Sequence, residues 1–309
     1  DGSCHVARRK DDAGRWEHVV HPAIICGVVD FQGQLTGVHR TYLAKQGPAV
    51  KEIPDGQASA KLMLGACRKC AVRLSEDYAA GVIVITEGIE NNLVCLAALA
   101  SMGIRAAGWA ALSDSGVSAV EFPGRLISFD GETPGPVHTI LIASDFNVPK
   151  RGKTRMVGQD GTGVVHSRML QNHLATVAPW VTVQIVHPDA AAFPELLTVT
   201  DAGTAPVDPE SNSVDYNDVL GVCGLERIGR QLAAAIDLDA AKARKASMAH
   251  IAAQRASGVI QEPSQAAAPT PPSDEPDGTR VGSRDGAGES DGGGGGRSIP
   301  PGGPVWGGH

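Results

Sequence analysis

The chain has 309 residues, 42% hydrophobic and 20% charged, which suits one or two globular domains plus tails and a core of useful size. No apolar run approaches the length of a membrane span, and the N-terminus lacks the basic, apolar, cleavable pattern of a signal peptide, so a cytoplasmic protein is expected. The net charge of −7 would argue against a polyanionic partner only if it were evenly spread, and it is not.

The tail from Glu262 to His309 carries seven acidic and three basic residues. Between Arg40 and Arg73, seven basic residues stand against Glu52 and Asp55. That asymmetry is the electrostatic footprint of a phosphate-binding segment, or else a solvated basic face.

In chain order, residues 1–18 are polar and mixed in charge and read as a ragged lead-in. From Pro22, AIICGVVDF, the turn Gln32-Gly33-Gln34 and LTGVHRTYLA predict a β-hairpin, because β-branched and aromatic runs flank a short glycine turn. It belongs to a basic subdomain over 19–78. Cys67 and Cys70 form a lone CxxC, read as a plain loop or, with Cys4 and His5, a zinc site; sparse cysteine use argues for reduced thiols. A second domain, 79–222, reads as an alternation of strands and helices. Gly81 to Glu90 opens it with a strand, and the following NNLVCLAALASMG predicts a helix with Leu93, Leu96, Ala97 and Ala100 on one face and Gly103 as its stop. A second strand is expected over Arg105 to Leu112, a short helix capped by Ser113 up to Val120, and a third strand over Thr139 to Ser144. A helix from Thr162 to Ala178 and a strand from Val181 to Val186 complete a β-α-β-α-β-α-β order, hence a mainly parallel sheet flanked by helices. Residues 190–212 read as irregular and 223–257 as an Ala-rich helical segment. From 258 to 309 the Pro, Gly and Ser content predicts a disordered tail.

Two strands end in acid. GVIVITEGIE runs apolar until Glu87, and TILIASDFN runs apolar until Asp145. Buried parallel strands look like this, and ligands of open α/β sheets bind at strand carboxyl ends. Two carboxylates there, with no adjacent Lys or Arg, suit a divalent cation; either one alone also reads as a helix cap or turn former.

The motifs Thr86-Glu87-Gly88-Ile89-Glu90 and Ser144-Asp145-Phe146-Asn147 resemble the Toprim domain, with its Glu-Gly strand end and its later Asp-x-Asp strand end. Asn147 departs from that pattern by replacing the last carboxylate. The segment Gly37 to Leu43, then Lys61-Leu62-Met63-Leu64-Gly65 and Ala71-Val72-Arg73-Leu74, is similar to the region preceding Toprim in primases of phages and plasmids, relatives of the catalytic core of bacterial primases. Cys67 and Cys70 stand where those relatives usually have glycines. Asp215-Tyr216-Asn217-Asp218 resembles their closing motif, and equally reads as a helix cap. The likeness spans roughly residues 20–222.

The resemblance implies a Toprim-like α/β fold and metal-dependent nucleotidyl transfer, making short RNA primers on single-stranded DNA in the replication of a mobile element. Glu87 would be the general base or a metal-proximal acid, Asp145 the principal ligand of magnesium or manganese, and Asn147 a weaker one. Arg40, Lys61, Arg73, Gly88, Lys150, Arg151 and Lys153 would hold the template or a nucleoside triphosphate, with Glu90, Asp215 and Asp218 as accessory acids. Gly88 also reads as a tight turn, and Glu90 as a favourable helix-dipole residue. A replicative helicase is an implied partner, and a membrane is not. Tyr42, Tyr78 and Tyr216 are the only tyrosines, too few to suggest a topoisomerase gate. A Toprim nuclease and a non-catalytic nucleic-acid-binding module remain as alternatives, the latter favoured by Asn147.

Overall fold

The computed structural model describes residues 4–45, 51–54, 59–128, 135–148, 150–151, 154–155, 159–201, 203–208 and 212–236, together with 253 and 257. The chain divides into two units, Asp1–Glu262 and Pro263–His309, and every described residue lies in the first. The expected tail disorder and most of the Ala-rich segment fall outside the described residues.

Strands β1 (Cys4–Lys10), β2 (Trp16–Val29), β3 (Leu35–Tyr42) and β4 (Lys61–Gly65) form an antiparallel sheet in that order. The β2–β3 turn is set by Asp30, whose Oδ1 accepts the N–H groups of Gln32 and Gln34 at 2.9 Å each, and by Gly33 at φ 84°. The predicted hairpin is therefore present. The expected ragged lead-in is instead a strand: Cys4 to Lys10 pair in register with Pro22 back to Trp16. An edge hairpin is held by backbone hydrogen bonds and needs no apolar run, which is why composition missed it.

The second sheet has the order β12-β8-β6-β7-β5, from β5 (Val72–Ser75), β6 (Val82–Thr86), β7 (Ala107–Ala110), β8 (Thr139–Ala143) and β12 (Thr182–Val186). All its pairs are parallel except β5 with β7. Every residue of β6 and β8 is buried, as continuous apolar runs require. Successive residues face opposite ways, so the two strands build two cores. Val82, Val84, Leu141 and Ala143 pack with α1 (Ile89–Ser101), α5 (Tyr216–Cys223) and α6 (Leu225–Ala234). Ile83, Ile85, Ile140 and Ile142 pack with α2 (Asp114–Ala119), α3 (Gly124–Ile127) and α4 (Thr162–Val177). Each of these Val, Leu and Ile side chains contributes about 1.5–3 kcal/mol on burial, so this sheet is the rigid platform of the molecule.

Two expectations fail here. Helix α1 turns Leu93 outward, half exposed, with Ala97 and Ala100, and buries Ile89, Val94, Cys95, Ala98 and Leu99. The helix is apolar nearly all round, so periodicity does not select a face. Packing selects it instead: α6 lies so close that a Cβ on Gly229 would stand 2.7 Å from the Ala98 carbonyl. Residues 190–212 are not uniformly irregular either. They contain the hairpin of β13 (Leu197–Thr200) and β14 (Gly203–Pro206), and just beyond, β15 (Ser213–Val214) pairs with β9 (Phe146–Asn147). A small hairpin joins β10 (Lys150–Arg151) to β11 (Thr154–Arg155).

The CxxC forms the turn between β4 and β5, with Lys69 at φ 67° and both thiols free. The side chains of Cys4 and His5 lie outside the described ones. Among the described residues no helix is long and apolar enough to cross a membrane.

Candidate active site

From β6 the chain proceeds to β7 on one side, and from β8 it proceeds to β12 on the other. A crevice opens where strand order reverses in this way, between the carboxyl ends of β6 and β8. Glu87 directly follows β6, and Asp145 follows β8 by two residues. Their loops are tied down. Thr86 Oγ1 donates to the Gly88 carbonyl at 2.7 Å, and the Leu112 N–H donates to the Glu87 carbonyl at 2.8 Å. Leu112 holds φ 70°, a left-handed conformation that costs a leucine about 1–3 kcal/mol and that ends β7 abruptly before α2.

That turn delivers Asp114, which the sequence motifs do not flag because Ser113 beside it is the more conspicuous cap. Ser113 does cap α2, accepting the Gly116 N–H at 3.0 Å. Asp114 accepts Thr162 Oγ1 at 2.6 Å and hydrogen-bonds the Glu87 carboxyl. The rule that singled out Glu87 and Asp145, an acid just past a strand's carboxyl end, also finds Asp114 when applied to β7.

Asp145 is oriented by Asn91, whose Nδ2 donates to Oδ1 at 2.8 Å while its own Oδ1 accepts the Asn217 N–H at 3.2 Å. Asn91 is buried, 4% exposed, so this relay fixes the carboxylate against α1 and α5. Asp215 and Asp218 form a reciprocal capping box on α5. The cap reading of that motif is therefore realised, and Asp215 also lines the cleft.

The electrostatics are those of crowded like charges. Burial, then Asp215 and Asp114, push the Asp145 carboxyl up to about 7, against the opposing bond from Asn91. Burial, then the charge and hydrogen bond of Asp114 and the charge of Asp145, push Glu87 well above the carboxylate range, with Lys61 opposing. The cleft itself is small, about 80 Å³, lined by Lys51, Lys61, Glu87, Gly88, Glu90, Asn91, Asp145, Asp215 and Asn217. A larger concavity of about 430 Å³ between Met63, Cys67, Ser113, Ser115, Gly116 and Ser118 has no carboxylate on its walls, so size does not locate the chemistry.

The remaining predicted residues scatter. Asn147 stands outside this cleft, in β9, lining a neighbouring cavity of about 330 Å³ with Phe146 and His187. A Cβ on Gly163 would lie 3.3 Å from both Asn147 Nδ2 and Asp114 Oδ1, so the glycine lets the start of α4 approach them. Cross-strand partners share a sheet face; Arg40 pairs with Leu62 while Thr41 pairs with Lys61, so Arg40 and Lys61 lie on opposite faces. Arg73 is committed elsewhere, its side chain 8% exposed. It donates to the Asp30 carbonyl at 2.6 Å, pairs with Glu76 at 3.0 Å and lies over the Trp109 ring. Glu90 is held by Lys51 at 3.2 Å and Lys61 at 3.1 Å. Lys153 lies outside the described residues, as do the side chains of Lys150 and Arg151.

Oxygen donors in excess, repelling one another, have the chemistry a hard cation relieves. Among the described residues, no group of three or more His, Cys, Asp or Glu side chains is placed to hold a metal by itself. Magnesium needs no such cage, since it keeps several waters and is usually held by one or two carboxylates plus substrate phosphates.

Fold and site together define a mixed α/β protein whose mostly parallel five-stranded sheet gathers carboxylates at its switch point. A family model described as a domain of unknown function (DUF7146) matches residues 3–74. No curated protein matches the chain. Among solved structures, the primase fragment of the bacteriophage T7 primase-helicase protein is similar at 12% identity and TM-score 0.34, over 73% of this chain and 66% of that one. The RNA polymerase domain of Mycobacterium tuberculosis primase DnaG is similar at 14% identity and TM-score 0.36, over 82% of this chain and 74% of that one. The chain thus spans just under two thirds of the T7 fragment.

Proposed function

We propose that the chain is a primase-like nucleotidyltransferase that joins ribonucleotides into short primers on single-stranded DNA during replication of a phage, plasmid or other mobile element. The observation that carries this reading is the placement of Glu87 and Asp145 at the carboxyl ends of adjacent central strands, facing one cleft with Lys51 and Lys61. The Toprim resemblance of the two strand-end motifs, which rests on the same two carboxylates, agrees with it.

In the reaction a primer 3′-oxygen bonds to the α-phosphorus of a nucleoside triphosphate, the bond to the β-phosphate oxygen breaks, and pyrophosphate leaves. The hydroxyl proton must go to a base. Glu87, its basicity raised by burial and by Asp114, is suited to take it near neutral pH. Asp145, held by Asn91, would bind magnesium or manganese with Asp114 or Asp215, and Asn147 would contribute at most a neutral carbonyl from outside the cleft. The cation, when bound, neutralises charge on the leaving pyrophosphate. Lys51 and Lys61 would bind phosphates, and Gly88 leaves room for their approach. A replicative helicase is the partner this reading implies.

Template-dependent dinucleotide synthesis with magnesium or manganese tests this reading directly. Product that requires the metal and single-stranded template supports it; strand cleavage instead of joining would indicate a nuclease. A second reading, a non-catalytic nucleic-acid-binding module, is favoured by Asn147 standing in place of a carboxylate. Calorimetry with magnesium beside the synthesis assay separates the two. An enzyme should take up the metal and lose both metal binding and synthesis when Asp145→Asn removes a ligand charge from the cleft. A binding module should show no heat of metal binding and no product.

A further inference from the structure

Glu90 occupies the two lysines on which phosphate binding in this cleft would depend. Its carboxylate takes one ammonium on each oxygen, Lys51 on Oε1 at 3.2 Å and Lys61 on Oε2 at 3.1 Å. The lysines arrive from separate places. Lys51 comes from the isolated bridge to Leu43, Lys61 opens β4, and Glu90 sits in the first turn of α1. Burial pushes the Glu90 carboxyl up, but a bond from its own backbone N–H and the two lysines outweigh this and hold it below the usual range.

We infer that Glu90 is an internal stand-in for substrate phosphate. It holds Lys51 and Lys61 in place in the empty cleft and yields them to the phosphate chain of a nucleoside triphosphate. The inference rests on reading this cleft as a phosphate-handling site. Three features support exchange rather than a permanent staple. The ammoniums and the carboxylate are all partly exposed, at 47%, 38% and 28%, and ion pairs this wet are weak. All three residues line the same cleft as Glu87 and Asp145. A phosphate chain carries more charge than a carboxylate and has several oxygens to offer, so it competes well for paired cations.

Competition has a sign that a structural role does not share. With metal chelated, inorganic tripolyphosphate should bind Glu90→Gln roughly three- to tenfold more tightly than the wild type by calorimetry, because two weak internal pairs no longer have to be broken. Lys51→Ala added to Glu90→Gln should remove most of that gain. Equal or weaker binding by Glu90→Gln would overturn the inference, since a residue that merely orders the lysines gives that result. Should Glu90→Gln fold poorly, the wild type decides: in carbon NMR the Glu90 carboxyl should titrate at higher pH under saturating tripolyphosphate, as it loses its lysines. An unmoved titration, or no tripolyphosphate binding at millimolar concentration, also overturns it. Neither readout needs metal, template or product. Absent primer synthesis with the binding gain intact would sink the enzymatic reading alone, and synthesis without the gain would sink the stand-in alone.

Discussion

The two walls of the cleft are built on opposite principles. One wall, from the parallel sheet and its helices, crowds Glu87, Asp114, Asp145 and Asp215 into half-buried surroundings where they repel one another. The other wall, from the antiparallel sheet and the start of α1, pairs Lys51 and Lys61 with Glu90 in partial contact with water. Burying like charges stores free energy that a cation can release, whereas wet, opposite charges store little and exchange readily. The first arrangement suits a site waiting for metal, and the second a site that must let go of its ligand.

Removing basicity from the carboxylate wall should have the largest effect. Glu87→Gln keeps shape and hydrogen-bonding capacity, so nucleotide joining should fall by roughly 10²- to 10⁴-fold while single-strand binding stays near wild type. Synthesis at the wild-type rate would remove Glu87 from the chemistry.

The repulsion on that wall also predicts a pH dependence of stability. The folded Asp145 pKa of about 7 lies above its unfolded value, so between roughly pH 4 and pH 7 the native state binds the extra proton. Stability therefore falls as pH rises through that window. Asp145→Asn removes the cost and should stabilise the protein by ~2 kcal/mol at pH 8, after allowance for solvent screening, and by little at pH 4. Urea melts at the two pH values measure it, and an equal effect at both would mean the repulsion is not felt. Magnesium should mimic the substitution at pH 8 in the wild type by raising its melting midpoint.

A smaller effect belongs to the boundary of that wall. Asp215→Ala breaks the capping box of α5 and should cost about 1 kcal/mol at pH 5. At pH 8 the cost should shrink, because the same change relieves Asp145. A cost that grows with pH would contradict the crowding.

The smallest effect lies on the lysine wall. Lys61→Ala should flatten the salt dependence of DNA binding by about one unit of slope for each phosphate the side chain had neutralised. Arg40→Ala, on the other face of the same sheet, should leave the slope closer to wild type. Equal flattening by both would mean that nucleic acid wraps both faces of the antiparallel sheet.

Local pattern determined a good part of this protein. The uninterrupted apolar runs at Val82 to Thr86 and Thr139 to Ala143 announced parallel strands, their abrupt acids marked Glu87 and Asp145, and the glycine turn after Asp30 and the Ser113 cap placed a hairpin and a helix. Each of these depends on residues within a few positions of one another, where steric and hydrogen-bonding preferences act directly. Tertiary structure alone decided that Asp114 joins Glu87, that Arg40 and Lys61 part company, that Arg73 is spent on the Asp30 turn, and that α1 buries Val94, Cys95, Ala98 and Leu99 rather than Leu93 and Ala97. Those outcomes follow from strand order, register and the rotation of a helix with two apolar faces. They are set by partners tens of residues away, to which a one-dimensional pattern is blind.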